Sequence, residues 1–205
     1  MSRRPWLTSA LLSLLTLATL SPASPAAGGK MLAGQVLVAS EDIGDPRFDH
    51  TVIYIVKHER TGALGLIVNR PRQEVPLGPL LRRLGFDDTG VTGSLRLHYG
   101  GPVEPGSAFL LHTAEYKTQG TEPVSPEASV TPLSGRPTVL SEIGHGGGPR
   151  RYLFVFGYAG WGPGQLEAEI DNGAWITVQA DEALLFDTDY ASKWDRAMAR
   201  RRITL

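Results

Sequence analysis

The sequence predicts an α+β protein with mixed or antiparallel β-sheets and short peripheral α-helices. Three observations predict this class. Short runs of β-branched and aromatic residues recur along the chain, as is typical of strands. The segments with helical signals are short. Strands and helices do not alternate strictly and no segment repeats, which argues against a regular parallel sheet or a solenoid. A length of 205 residues favours one domain.

The first half of the chain is predicted to hold most of the strands. An apolar run at 36–39 is the first, and an acidic loop over 41–49 follows it. Residues 51–57 are β-branched and aromatic, and a turn at 60–62 returns the chain as a hairpin partner at 63–68. The remaining elements of this half are a helix at 79–84 capped by Gly85, and strands at 95–99 and 108–113 around the turn Gly100-Gly101-Pro102.

The second half begins with an insert at 118–137. Its prolines, at positions 123, 126, 132 and 137, predict an exposed, semi-extended excursion. The apolar run from Tyr152 predicts a central strand. The other elements are helices at 139–143, 165–170, 182–186 (capped by Asp181) and 191–201, and a strand at 175–178.

The N-terminus is predicted to be an export signal. Arg3 and Arg4 precede an uncharged apolar run at 7–20, and small residues and prolines follow at 21–27. This is the order of regions in a secretory signal peptide of the Sec or twin-arginine type, and it assigns residues 1–26 to the signal and 27–205 to the domain. We expect a periplasmic protein without a transmembrane segment. The alternative is a cytoplasmic protein translated from Met31.

Composition narrows the possible functions. The chain has no cysteine, which excludes disulfides, thiolate metal ligands and cysteine nucleophiles. Its net charge is −1; the two arginines of the predicted signal leave 18 basic and 21 acidic residues in the remainder, or −3. That charge is a poor match for nucleic acid, so no nucleic-acid partner is expected.

Several motifs in order resemble the YqgE/AlgH family. They are Gly29-Lys30-Met31-Leu32, Asp45-Pro46-Arg47-Phe48, Gly65-Leu66-Ile67-Val68-Asn69-Arg70-Pro71, Gly100-Gly101-Pro102-Val103, the glycine-rich segment 157–164, and Leu184-Leu185-Phe186-Asp187. The resemblance covers residues 29–203, and the N-terminal extension and the insert at 118–137 depart from it. It implies a compact fold of several curled β-sheets. Some members of the family are described as transcriptional regulators.

The glycine-rich segment is predicted to be a tight turn between the central strand and a helix, with Pro163 at the first helical position. Its glycines either permit close packing under Trp161 or direct backbone N–H groups at an anion. Arg70 either clamps an anion or pairs with Asp45 or Glu74. The candidate ligand-binding residues are Arg47, Asn69, Arg70, Gly160, Trp161 and Gln165.

No catalytic residue, metal site or cofactor is predicted. His145-Gly146-Gly147-Gly148 is similar to the oxyanion loop of esterases, but Ser192 is the only serine downstream, it lies outside any nucleophile elbow, and no histidine follows. The five histidines lack zinc-ligand spacing. His98 and His112 are expected to flank one hairpin-like unit and to face each other.

These observations favour a non-catalytic binding or regulatory protein that holds a small anionic ligand or a partner protein. One alternative is an enzyme of another type, with a pocket near Arg70 and the segment Gly157–Gly164 and a histidine such as His98 or His112 in it. The second alternative is the cytosolic regulator that starts at Met31.

Overall fold

The fold is organised by one strand, β9 (Tyr152–Trp161), which two halves of a curled sheet share. The structure, a computed structural model, describes residues 31–134 and 138–201. The predicted signal peptide, residues 1–26, lies outside the described residues.

Within the described ranges the chain forms ten strands and five short helices. The strands are β1 (Gln35–Ala39), β2 (Val52–Glu59), β3 (Gly62–Ile67), β4 (Pro71–Pro76), β5 (Ser94–Tyr99), β6 (Val103–Thr113), β7 (Glu122–Pro123), β8 (Ala128–Pro132), β9 (Tyr152–Trp161) and β10 (Trp175–Gln179). The helices are α1 (Leu77–Arg83), α2 (Thr138–Gly144), α3 (Gln165–Asp171), α4 (Glu182–Phe186) and α5 (Lys193–Met198). A 3-10 turn covers Pro46–Phe48.

The strand order is β10-β1-β2-β3-β9-β6-β8-β7, with β5 also beside β9 and β4 beside β5. All neighbouring strands are antiparallel except β5 and β9. The end of β9 pairs with β3, where Ala159 lies opposite Gly65. Its first part pairs with both β5 and β6, and Phe154 lies between Leu97 and Leu110. The predicted class, a single α+β domain with a curled sheet and short peripheral helices, is confirmed.

The segment that joins β5 to β6 crosses over β9, because those two strands lie on opposite sides of it. Gly100 donates its N–H to the Phe156 carbonyl (2.7 Å) and accepts from Ile67 N (3.0 Å). A Cβ on Gly101 would lie 2.2 Å from the Tyr158 oxygen, and one on Gly157 would lie 2.5 Å from the Gly101 oxygen. Real Cβ atoms do not come so close, so only glycine allows these two backbones to touch. We call this contact the glycine crossing.

The prediction of a tight turn over 157–164 is wrong in its bounds. The chain stays in β9 through Trp161, because β3 continues the ladder of hydrogen bonds to that point. Only Gly162, Pro163 and Gly164 form the turn. The helix after it is confirmed, but it begins at Gln165 with Gly164 as its N-cap, so Pro163 lies before the helix.

The described part of the proline-rich insert, residues 118–134, is also more ordered than predicted, while residues 135–137, with Pro137, lie outside the described residues. It contains β7 and β8, and β8 pairs with β6 and buries Ala128, Ser129 and Val130. Prolines end both strands, where a missing N–H is tolerated. Strand β4 is not predicted from the sequence because it begins and ends with proline. It lies at an edge of the sheet, where these prolines are tolerated. Two further elements differ clearly in extent: β6 begins at Val103 rather than 108, and α5 covers only Lys193–Met198 of the predicted 191–201.

The C-terminal helix closes the core over β1. The Trp194 indole N–H donates to the Ala39 carbonyl (2.8 Å). Lys193 is fully buried and donates to the carbonyls of Leu184 (2.7 Å) and Leu185 (3.1 Å) at the end of α4. Burial lowers the pKa of Lys193 to about 8. Its ammonium group therefore serves as a cap for α4, beyond the reach of solvent.

None of the helices in the described part of the chain has the length and apolar character needed to cross a lipid bilayer.

Candidate binding pocket

A cavity of about 340 Å³ opens between the loop after β1, the start of β6 and helix α3. Its walls come from Ile43–Phe48, from Pro102 and Val103, and from the stretch between Gly160 and Trp175. We call it the aromatic pocket, because Phe48, Trp161 and Trp175 all line it. The glycine crossing places Pro102 and Val103 beside the end of β9 and so builds one wall.

The aromatic side chains pack edge to face. The ring centroids of Trp161 and Trp175 are 5.9 Å apart, and those of Phe48 and Trp175 are 5.5 Å apart. The two indoles are only 7% and 3% exposed, so each presents a narrow edge to the cavity. Aromatic pairs prefer this arrangement, which fixes the rings without a ligand.

Glu169 on α3 organises the polar side of the pocket. One of its oxygens, Oε2, accepts the indole N–H of Trp161 (2.8 Å) and that of Trp175 (2.7 Å). The other, Oε1, accepts from Gln165 Nε2 (2.8 Å). Gln165 in turn accepts the N–H of Gly162 (3.0 Å), which ties the start of α3 to the end of β9. One carboxylate therefore connects two strands and a helix.

The opposite wall carries a tight ion pair. Asp45 is the N-cap of the 3-10 turn and accepts the N–H of Arg47. The Arg47 guanidinium grips the same carboxylate through Nε (3.0 Å) and Nη2 (2.6 Å). This hydrogen bond holds the pKa of Asp45 below its usual value. Arg47 itself is 63% exposed, so the pair lies at the rim of the pocket.

Asn69 and Arg70 support this wall from behind. Arg70 donates to the carbonyls of Arg47 (2.7 Å) and Asp49 (2.8 Å). Asn69 accepts from Val52 N (3.0 Å) and donates to the His50 carbonyl (2.8 Å). The predicted ion pairs of Arg70 with Asp45 or Glu74 are wrong. The Arg70 guanidinium instead binds the carbonyls of Arg47 and Asp49. Asp45 pairs with Arg47, and Glu74 pairs with Arg96.

The six predicted site residues therefore form one assembly. Arg47, Gly160, Trp161 and Gln165 line the aromatic pocket, and Asn69 and Arg70 hold the loop that carries Arg47. Sequence reasoning missed Glu169. Its spacing of four residues from Gln165 places both on one face of α3, and that spacing is the signal that could have found it.

His98 and His112 do not face each other, because β9 lies between their strands. Both are buried. His112 bonds the Thr113 carbonyl and the Thr131 hydroxyl (3.0 Å each), whereas neither ring nitrogen of His98 has a hydrogen-bond partner among the described residues. Burial lowers the pKa of His98 to about 4, and the positive charges of Lys193 and Arg96 act in the same direction. Neither histidine lines the aromatic pocket. Within the described ranges no three His, Asp or Glu side chains are placed to hold a metal ion.

The fold and the pocket together define a globular α+β protein with a preformed aromatic cavity. The model of the AlgH-like family, DUF179, matches residues 36–205, and this chain belongs to that family. The resemblance seen in the sequence motifs is thereby confirmed.

Relatives of similar length support this assignment. A UPF0301 protein of Rhodospirillum rubrum is 41% identical over 169 residues, which are 82% of this chain and 86% of that protein. A UPF0301 protein of Caulobacter vibrioides is 41% identical over 178 residues, or 86% of this chain and 90% of that protein. The solution structure of AlgH from Pseudomonas aeruginosa superposes with a TM-score of 0.66 at 34% identity, covering 86% of this chain and 92% of AlgH. The names of these relatives state no ligand and no reaction.

The two buried histidines predict opposite effects of phenylalanine on stability. His98→Phe should raise the free energy of unfolding at pH 7 by about 1 kcal/mol, because it removes two unsatisfied nitrogens. His112→Phe should lower it by a similar amount, because it breaks two hydrogen bonds. Urea denaturation of both variants measures the difference.

The same variants predict a change in acid sensitivity. The pKa of His98 in the folded protein, about 4, lies below the ordinary value of 6.5. Between these two pH values the imidazole is protonated in the unfolded chain but not in the folded one. Stability should fall as pH drops from 6.5 to 4, by roughly 3 kcal/mol from this group. His98→Phe should remove that part of the fall. An unchanged pH profile, or a loss of stability at pH 7, would contradict this account.

Proposed function

We propose that this chain is a non-catalytic binding or regulatory protein and that the aromatic pocket is where it holds its ligand or partner. The observation that carries the proposal is the convergence on Glu169. One carboxylate fixes two indoles and a glutamine around a cavity that is already open. A preformed cavity with aromatic walls and a few oriented polar groups is the usual form of a binding site.

The side chains of the pocket support binding better than catalysis. The residues that line it offer no hydroxyl, imidazole or amine group that could serve as a nucleophile or a general base. Its two carboxylates already have structural roles: Glu169 holds two indoles and Gln165 through three hydrogen bonds, and Asp45 pairs with Arg47. The Arg70 guanidinium is occupied by backbone carbonyls. An enzyme centred on Arg70 therefore has little support.

Of the two expected occupants, a partner protein fits better than a small anion. The cation in the pocket wall, Arg47, already pairs with Asp45. An anion would have to compete with that carboxylate and would also lie near Glu169. A side chain of a partner protein could fill the cavity beside the aromatic rings without competing with Asp45 and without bringing a negative charge near Glu169.

We also propose that the mature chain acts in the periplasm, on the strength of the signal-like order of residues 1–26. N-terminal sequencing of the protein from periplasmic and cytosolic fractions tests this. We expect a periplasmic species that begins near Ala27. A cytosolic protein that begins at Met31 would support the alternative of a cytosolic regulator.

A variant that fills the pocket tests the binding role. Gly44 lines the cavity, has no positive φ, and a Cβ there meets no atom within 4 Å. Gly44→Leu should therefore fold normally while it blocks the pocket. Compounds and peptides that raise the melting temperature of the full chain in a thermal-shift screen should lose that effect in this variant, since bound ligand stabilises the folded state.

Gly106→Leu is the matched control. Gly106 is exposed, lies outside the pocket and also has open space at its Cβ position. This variant should keep the full shift. If no compound or peptide shifts the melting temperature, or if Gly44→Leu leaves every shift intact, the pocket is a packing feature and the proposal fails.

A further inference from the structure

Negative charge is concentrated on the two segments that face each other across the aromatic pocket. The loop at 41–49 carries Glu41, Asp42, Asp45 and Asp49, and α3 carries Glu167, Glu169 and Asp171. Arg47 is the one Lys or Arg residue in these two segments. Seven carboxylates and one guanidinium leave a formal charge of −6. We call these two segments the acidic face.

This charge is unusual for the chain as a whole, whose net charge is −1. Arg70 also contacts the loop, through the carbonyls of Arg47 and Asp49. When Arg70 is counted, the formal charge of the acidic face is still −5. Two of the carboxylates contact histidines, Asp49 with His50 and Glu167 with His58. Carboxylates of one sign on both sides of a cavity focus the field and attract ligands of the opposite sign.

The interior of the pocket is also suited to a positively charged group. In the part of the chain that the structure describes, Glu169 Oε1 accepts only from Gln165, so this oxygen has room for one more donor. The aromatic edges of Trp161, Trp175 and Phe48 give apolar contacts for the aliphatic stem of a basic side chain. The Phe48 ring already lies under the Arg47 guanidinium, 5.9 Å from its centroid. Arg47, the cation nearby, is held at the rim by Asp45 and so leaves the interior carboxylate uncompensated.

We infer that the partner of this pocket is a basic segment of another protein, with a lysine or arginine side chain that enters between the aromatic walls and donates to Glu169. This inference rests on the binding role proposed above and names the chemistry of its partner. The acidic face steers the basic segment toward the pocket, and the aromatic walls and Glu169 hold one of its side chains.

The test uses pentalysine and pentaglutamate as probes of the full chain, with inorganic phosphate as a small anion. Binding is followed by tryptophan fluorescence, because Trp161 and Trp175 line the pocket. Pentalysine should bind, and pentaglutamate and phosphate should not. Raising the salt from about 0.05 to about 0.5 M should weaken pentalysine binding about tenfold or more, since exposed charges are screened.

Two charge-matched variants separate the pocket from the general surface. Glu169→Gln removes one negative charge inside the cavity but keeps an oxygen for the two indole N–H groups. Glu122→Gln removes one exposed charge on β7, away from the pocket. We expect Glu169→Gln to weaken pentalysine binding about fivefold or more and Glu122→Gln less than about twofold. If Glu169→Gln does not fold, Gly44→Leu takes its place with the same expectation.

Each result is decisive. Pentalysine binding that both pocket variants leave unchanged would overturn the inference, because it would arise from the surface charge alone. Binding of phosphate or pentaglutamate as tight as that of pentalysine would overturn it too, while the proposed binding role would stand. The inference also fails, and the binding role stands, if pentalysine does not bind but a neutral compound binds to the full chain and Gly44→Leu abolishes that binding. If no probe and no compound binds, both proposals fail.

Discussion

The glycine crossing is the constraint on which the rest of the structure depends. The segment from Gly100 to Pro102 passes over β9 with its backbone against that of Gly157 and Tyr158, at separations that leave no room for a Cβ. The crossing lets β5 and β6 pair with opposite sides of one strand, so that β9 joins both halves of the sheet. Of the two roles that the sequence allows for the glycine-rich segment, close packing or an anion site, Gly157 therefore has the packing role.

The crossing also determines where the aromatic pocket lies. It carries Pro102 and Val103 to the end of β9, where Gly160 and Trp161 continue past the last pair with β6. Helix α3 then folds back, and Glu169 joins Trp161 on β9 to Trp175 on β10. The loop with Arg47 closes the other side and is fixed by Asn69 and Arg70 from the end of β3. Hydrogen bonds thus tie the loop, the helix and the two strands that surround the pocket to one another or to β3.

Local signals in the sequence predicted the elements that local chemistry determines. The β2–β3 hairpin followed from β-branched residues, Gly85 adopts a φ of +78° after α1, and Asp181 accepts the N–H of Leu184 (2.7 Å) as the cap of α4. The missed features depend on distant partners. Prolines hid β4, β7 and β8, which are strands only because neighbours pair with them. Glu169 was missed because its two indole partners come from different strands, whose proximity no local pattern shows.

The most direct measurement compares the free energies of unfolding of Gly157→Ala and Gly164→Ala. Both glycines have positive φ values, +67° and +72°, so alanine is strained at both positions, by about 1 to 2 kcal/mol. At Gly157 the new Cβ collides with the backbone of the glycine crossing, whereas at Gly164 it meets nothing within 4 Å. The account predicts that Gly157→Ala loses at least about 2 kcal/mol more than Gly164→Ala. Equal losses would show that the two backbones are not in contact there, and would contradict the account.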